Sequence, residues 1–242
     1  MATTEPLRPT TDGTSADQPG EHDVDNALAV LGMIAYSELG AFSRLAADAA
    51  LAPGLPERLE LSRTAGVALA RLDRVAGRVA ELRGDAGDAA LAEVMDPFAG
   101  VLKEFDLRTE PSTWWERMLK AYVGYGVADD FCRLLAQPLD ATTRALVEEV
   151  LSDEGQAGHV IGTLAAAGAE DATLDSRLAL WGRRLVGEAL SVVQQVLADN
   201  PRMRDLLVQA LGDDAAGEAQ QRLFALLTAE HTRRMERLGL TP

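Results

Sequence analysis

Glu38 stands where a carboxylate is hard to accommodate. Leu28, Leu31, Ala35, Glu38, Phe42 and Leu45 recur at spacings of three and four, so this carboxylate shares the apolar stripe of one helix. Bare burial of an ionised carboxylate costs several kcal/mol or shifts its pKa, so the position calls for a hydrogen-bonded cation or a metal. Two kinds of partner are available. Arg71 falls at matching depth on the next long helix, beside Ala68, and a guanidinium there would neutralise Glu38 in a bidentate pair that takes the place of a metal. Asp129 and Asp130, of which one faces inward, and Gln156-Ala157-Gly158-His159 could instead contribute to a metal site. The second segment keeps the spacing of a Glu-x-x-His pair but has glutamine in place of the carboxylate.

A second group of polar residues lies toward the C-terminus. Arg184 and Glu188 are one helical turn apart, and His231 and Arg234 share the inward stripe of the last helix. Two roles are open: locking the last helix against the helix that carries Glu188, or forming an anion pocket from Arg183, Arg184, Arg233 and Arg234. There is no phosphate-binding loop, no Gly-x-Ser-x-Gly, no His-Glu-x-x-His and no Rossmann fingerprint. The single Cys132 excludes an internal disulfide and a cysteine zinc cluster, and reads as a small core residue.

The elements that must position these residues are helices. The first should run to about Ala50 and stop before Pro53-Gly54, with caps among His22-Asp23-Val24-Asp25. The second opens near Pro56 and closes at Gly84, with the stripe Leu61, Ala65, Ala68, Leu72, Val75, Val79 and Leu82. Residues 85–109 read as a crossing connection broken into two short helices at Asp96-Pro97. Thr113-Trp114-Trp115-Glu116 is a capping box opening a helix to about Gln137, and a fourth helix is expected from Arg144 to about Ala167. After a linker at 168–173, helices are expected from Leu174 to Ala198, from Asn200-Pro201 to Gly212, and from about Ala215 to Leu238 with Gly239 as cap. On the first of these, Leu178, Trp181, Leu185, Glu188, Val192 and Gln195 form the expected inward stripe.

The whole chain agrees with an all-α reading. Its 242 residues are 47% hydrophobic, enough for a substantial core, and β-branched residues never alternate in strand fashion. A formal charge of −15 disfavours unassisted nucleic-acid binding. Lysine occurs only at Lys103 and Lys120, leaving arginine as the main cation. Residues 1–22 read as a disordered arm and 23–242 as one helical domain. The longest apolar run, from Ala27 to Tyr36, is short of the ~20 residues that span a bilayer, and no signal peptide is visible. No membrane association and a cytoplasmic location are therefore expected.

Four long helices with a long crossover between the second and third suggest a ferritin-like four-helix bundle with additional C-terminal helices. Four segments carry a resemblance: Tyr36 to Phe42, Trp115 to Phe131, Leu180-Trp181-Gly182-Arg183-Arg184-Leu185-Val186-Gly187-Glu188-Ala189-Leu190, and His231-Thr232-Arg233-Arg234-Met235 with Leu238-Gly239-Leu240. Together the chain resembles actinobacterial ferritin-like proteins grouped with the MiaE-type tRNA hydroxylases. That resemblance implies a di-iron, oxygen-dependent hydroxylase acting on a modified adenosine in tRNA, with Glu38, Asp130 and His159 as iron ligands. It also implies association through helix faces, as a homodimer. Ala68, Arg71 and Gln156 depart from the expected ligand pattern. Two readings follow: an altered ferritin-like protein without a cofactor, acting through a small-molecule ligand or by association, and an iron hydroxylase with a divergent site.

Overall fold

A computed structural model describes residues 21–85, 87–152, 157–212 and 216–242. The expected N-terminal arm lies, for residues 1–20, outside the described residues. Helix α1 (Glu21–Ala50) and helix α2 (Leu55–Arg83) form a hairpin. Glu21 already belongs to α1, so His22 to Asp25 lie within the helix and do not cap it. Pro56 sits in the first turn of α2, and Gly84, at φ 69°, closes it in the left-handed conformation that glycine tolerates best. The buried face of α2 is Leu61, Ala65, Ala68, Leu72, Val75 and Val79, the expected stripe without its last leucine.

Helix α3 (Asp88–Arg108) is unbroken, contrary to expectation, with Pro97 inside it. Pro97 denies one carbonyl its donor, but it is exposed, while Phe98 and Phe105 are buried. Apolar burial of two phenylalanines offsets the missing bond. The next helix opens on the expected capping box: Glu116 N donates to Thr113 Oγ1 at 3.2 Å, and Thr113 N to Glu116 Oε2 at 3.1 Å. It runs as α4 (Trp114–Leu119), a π-helical turn (Lys120–Gly124) and α5 (Tyr125–Ala136). The π turn adds a residue to the helical repeat and rotates everything beyond it.

The expected fourth helix is two: α6 (Ala141–Val150) and α7 (Ala157–Glu170). Arginines satisfy the carbonyls where α6 ends. Arg133 donates to Leu151 O, and Arg71 donates to Ser152 O at 2.9 Å. With those acceptors served, stopping the helix there costs less hydrogen bonding. The expected linker at 168–173 shrinks to Asp171, which accepts from Thr173 N at 2.8 Å and Leu174 N at 3.1 Å and so caps helix α8 (Ala172–Asp199). Helices α9 (Pro201–Leu211) and α10 (Ala216–Arg237) complete the chain, ended by Gly212 and Gly239 at φ 65° and 74°. No strand occurs among the described residues.

α1 is the central element: it packs on α2, α3, α5 and α9, and Val30, Leu31, Met33, Ile34 and Ala35 are at most 1% exposed. α1 is long and apolar enough by composition to cross a bilayer, and its segment from Val30 to Ala35 is taken up by this packing. α8 packs on α3, the π turn, α5 and α7. Cys132 is buried in the core, as expected.

α10 is clamped to α5 by a fork of two contacts. Arg234 Nη1 lies 2.7 Å from Asp130 Oδ2, and Arg234 Nη2 donates to Asp130 Oδ1 at 2.8 Å. Gly126, one turn before Asp130, makes room for the guanidinium: a Cβ there would stand 2.5 Å from Arg234 Nε. Gly77 on α2 has nothing within 4 Å of the same position. Gly126→Ala is therefore expected to destabilise the fold by about 1–3 kcal/mol. Gly77→Ala should stabilise it by about 0.5–1 kcal/mol through helix propensity. Urea midpoints with unchanged slope would measure both, and equal shifts of one sign would contradict the packing described.

Candidate functional site

Between α1, α2 and the Trp114–Ala136 helix lies a cavity of about 130 Å³. It separates the main core from a smaller cluster of Leu45, Ala49, Leu61 and Ala65 between α1 and α2. Glu38 enters it from α1, Ala68 and Arg71 from α2, and Tyr122 and Asp129 from the opposite helix. The depth match read from the sequence between Glu38 and the Ala68/Arg71 pair therefore holds in space.

The contact between Glu38 and Arg71 is looser than a bidentate pair. Arg71 Nη1 stands 3.7 Å from Glu38 Oε1, beyond hydrogen-bond reach, because Nη2 of the same guanidinium is bonded to Ser152 O at 2.9 Å. No hydrogen bond reaches the Glu38 carboxyl group among the described residues. Burial, reinforced by the Asp129 carboxylate, pushes Glu38 up to about 8, and Arg71 offsets only part of that rise. At neutral pH the group is thus mainly a neutral acid, and protonation does more than arginine to remove its charge.

Of the two adjacent aspartates, Asp129 faces the cavity and Asp130 does not. Asp130 is held by Arg234 and by Arg133, whose Nη1 donates to it at 2.8 Å. The expectation of Asp130 beside Glu38 is corrected accordingly. Met118, Tyr122, Tyr125 and Asp129 share the cavity wall at spacings of four, three and four, the ordinary helical period, and Asp130 falls off that stripe. His159 belongs to α7, but its side chain lies outside the described residues, as does Gln156. Among the described residues no three His, Cys, Asp or Glu side chains come together to hold a metal ion. Glu38, Glu57, Glu60 and Asp129 line the cavity beside Arg71, but among the described residues they do not converge as the anionic donor set of a di-iron centre must.

The four residues of the second polar group do not meet as one centre. Glu188 is half-buried, with Arg108 Nη1 3.7 Å away, and Arg184 donates to Arg108 O at 2.5 Å while stacking on Trp181. Both serve the α3–α8 contact. Glu188 is not on the buried face of α8, which carries Ala189, Val193, Val196 and Leu197 instead. His231 and Arg234 are buried on α10, and Arg234 locks α10 to α5, not to α8. Nor do the arginines converge on an anion pocket: Arg183 donates to Thr241 O and Pro242 O, and Arg233 pairs with Glu230. Burial and the neighbouring Arg234 lower His231 to about 4, and neither ring nitrogen has a hydrogen-bond partner among the described residues.

One polar network was not foreseen. Lys120, the first residue of the π turn, is 4% exposed, with Nζ 3.1 Å from Asp106 Oδ1 and 5.2 Å from the Phe105 ring. Arg44 pairs with the same aspartate and stacks on Tyr125 at 4.5 Å, so α1, α3 and the π turn are tied behind the cavity wall. Burial lowers the Lys120 pKa, and Asp106 counters it. The available signal was a lysine set directly between Met118-Leu119 and Tyr122-Val123.

Glu38 and His231 give opposite pH dependences. Glu38 goes from 4.5 unfolded to about 8 folded, so its contribution is complete below pH 4.5 and is lost as pH rises toward 8. His231 goes from 6.5 to about 4, so its contribution is complete above pH 6.5 and is lost as pH falls toward 4. Each component has a limiting slope of about 1.4 kcal/mol per pH unit. Urea unfolding of Glu38→Gln should lack the alkaline component and that of His231→Gln the acid one. Parallel profiles for wild type and Glu38→Gln between pH 5 and 8 would refute the assignment for Glu38.

A family model described as a ferritin-like domain of actinomycetes matches residues 23–210. No curated protein matches the chain. The match takes in α1 to α8 and nearly all of α9, every helix that lines the cavity included. With the all-helical bundle and the carboxylate on its central helix, it settles the family: this chain belongs to the actinomycete ferritin-like domains.

Proposed function

We propose that this ferritin-like domain works by binding a small molecule in the cavity between α1, α2 and the Trp114–Ala136 helix, and not by the di-iron hydroxylation that the MiaE-type resemblance implies. The observation that carries this reading is the guanidinium of Arg71, 3.7 Å from Glu38 and on the wall of the same cavity. A guanidinium has five donors and no lone pair to give a metal, and its charge opposes a divalent cation at that distance. Ala68 beside it offers no ligand either. The net charge of −15 supports the same reading, since tRNA would meet repulsion at long range.

Iron content tests the proposal. Protein purified from iron-supplemented medium should carry far less than one iron per chain, and about two per chain would overturn the reading. The double variant Ala68→Glu, Arg71→His places a Glu-x-x-His pair at the depth of Glu38 and removes the competing cation. It should gain iron over wild type in the same preparation, measured by elemental analysis. An unchanged iron content in the double variant would show that the residues at 68 and 71 do not govern metal binding.

A further inference from the structure

We infer that the ligand of this cavity is a small organic cation, a protonated amine carried on an apolar body. The inference rests on the binding role proposed above and adds the class of molecule bound. It starts from two polar side chains that receive no hydrogen bond among the described residues. Tyr122 is 8% exposed and lines the cavity, and its buried hydroxyl has no hydrogen-bond partner among the described residues. Glu38 is 7% exposed, lines the same cavity, and receives no hydrogen bond among the described residues. Buried polar groups are nearly always paired, so two such groups on one cavity wall mark where a bound molecule supplies partners.

The chemistry of the wall selects the partner. Glu57 and Glu60, half-buried on the first turns of α2, join Glu38 on a wall whose one guanidinium among the described residues is Arg71. Arg71 is itself committed to Ser152 O. An anion would be repelled by this acidic wall, and a neutral ligand would gain less from it than a cation. An ammonium brings three donors and no acceptor, which suits a carboxyl group and a phenol oxygen. The remaining wall is apolar or aromatic, with Trp114 and Met118 among its residues, and suits the body of such a ligand. Aromatic faces also attract a cation directly.

Calorimetric titration of the full chain in low-salt phosphate buffer tests this with three probes of one shape: phenethylamine, phenethyl alcohol and phenylacetate. The amine should bind, the alcohol at least about tenfold more weakly, and phenylacetate not at all. Glu38→Gln should weaken the amine about tenfold, and Tyr122→Phe should weaken it several-fold. Arg71→Gln should tighten it, a gain that a damaged fold would not produce. The ligand class is overturned, with the binding role left standing, if phenylacetate or the alcohol binds as tightly as the amine. It is equally overturned if none of the three binds, and if the protein also carries two irons the binding role falls with it.

Discussion

The all-round burial of α1 from Val30 to Ala35 is the constraint on which the rest of the bundle depends. Five of the six positions from Val30 to Ala35 are hydrophobic and almost wholly inaccessible, so neighbours must stand on every side of the helix there. α2, α3, α5 and α9 are those neighbours. A helix buried all round gains much from apolar contact but has nowhere to place a charge. One turn further along, Glu38 does bring a carboxyl group into the same seam. The bundle opens there into a cavity, and the acid is mainly neutral at pH 7.

Around that opening the helices are held by arginine and lysine pairs set behind the cavity wall. Arg234 ties α10 to Asp130 on α5, and Arg44 and Lys120 meet at Asp106 and so join α1, α3 and the π turn. Arg71 and Arg133 finish the carbonyls at the end of α6. Pairing of this kind keeps buried charge tolerable because each cation is bonded to a carboxylate or a backbone oxygen. It also leaves Arg71 only a long-range contact with Glu38, which is why the cavity keeps an unbonded acid.

Most of the helices could be read from local chemistry. Gly84, Gly212 and Gly239 end helices in left-handed geometry, Thr113 and Glu116 form their capping box, and the α2 stripe is buried nearly residue for residue. These features rest on contacts within a turn or on one helical period, both of which a sequence displays. The continuity of α3 through Pro97 and the break between α6 and α7 rest on distant partners: core contacts for Phe98 and Phe105, and arginines on α2 and α5 for the carbonyls. Propensity alone reads both the wrong way, because tertiary contacts outweigh it.

The candidate site divides along the same line. The sequence by itself determined that Glu38 lies on an apolar stripe and that Ala68 and Arg71 share its depth, since both follow from helical period and hairpin length. It did not decide between Asp129 and Asp130, because which face of that helix meets the cavity is set by packing against other helices. Nor could it show that Arg234 serves α5 while Arg184 and Glu188 serve α3. Which side chains share a space depends on how helices dock, and docking is set by the sum of many weak contacts between residues far apart in the chain. That sum gave Glu38 a cavity in place of a tight partner.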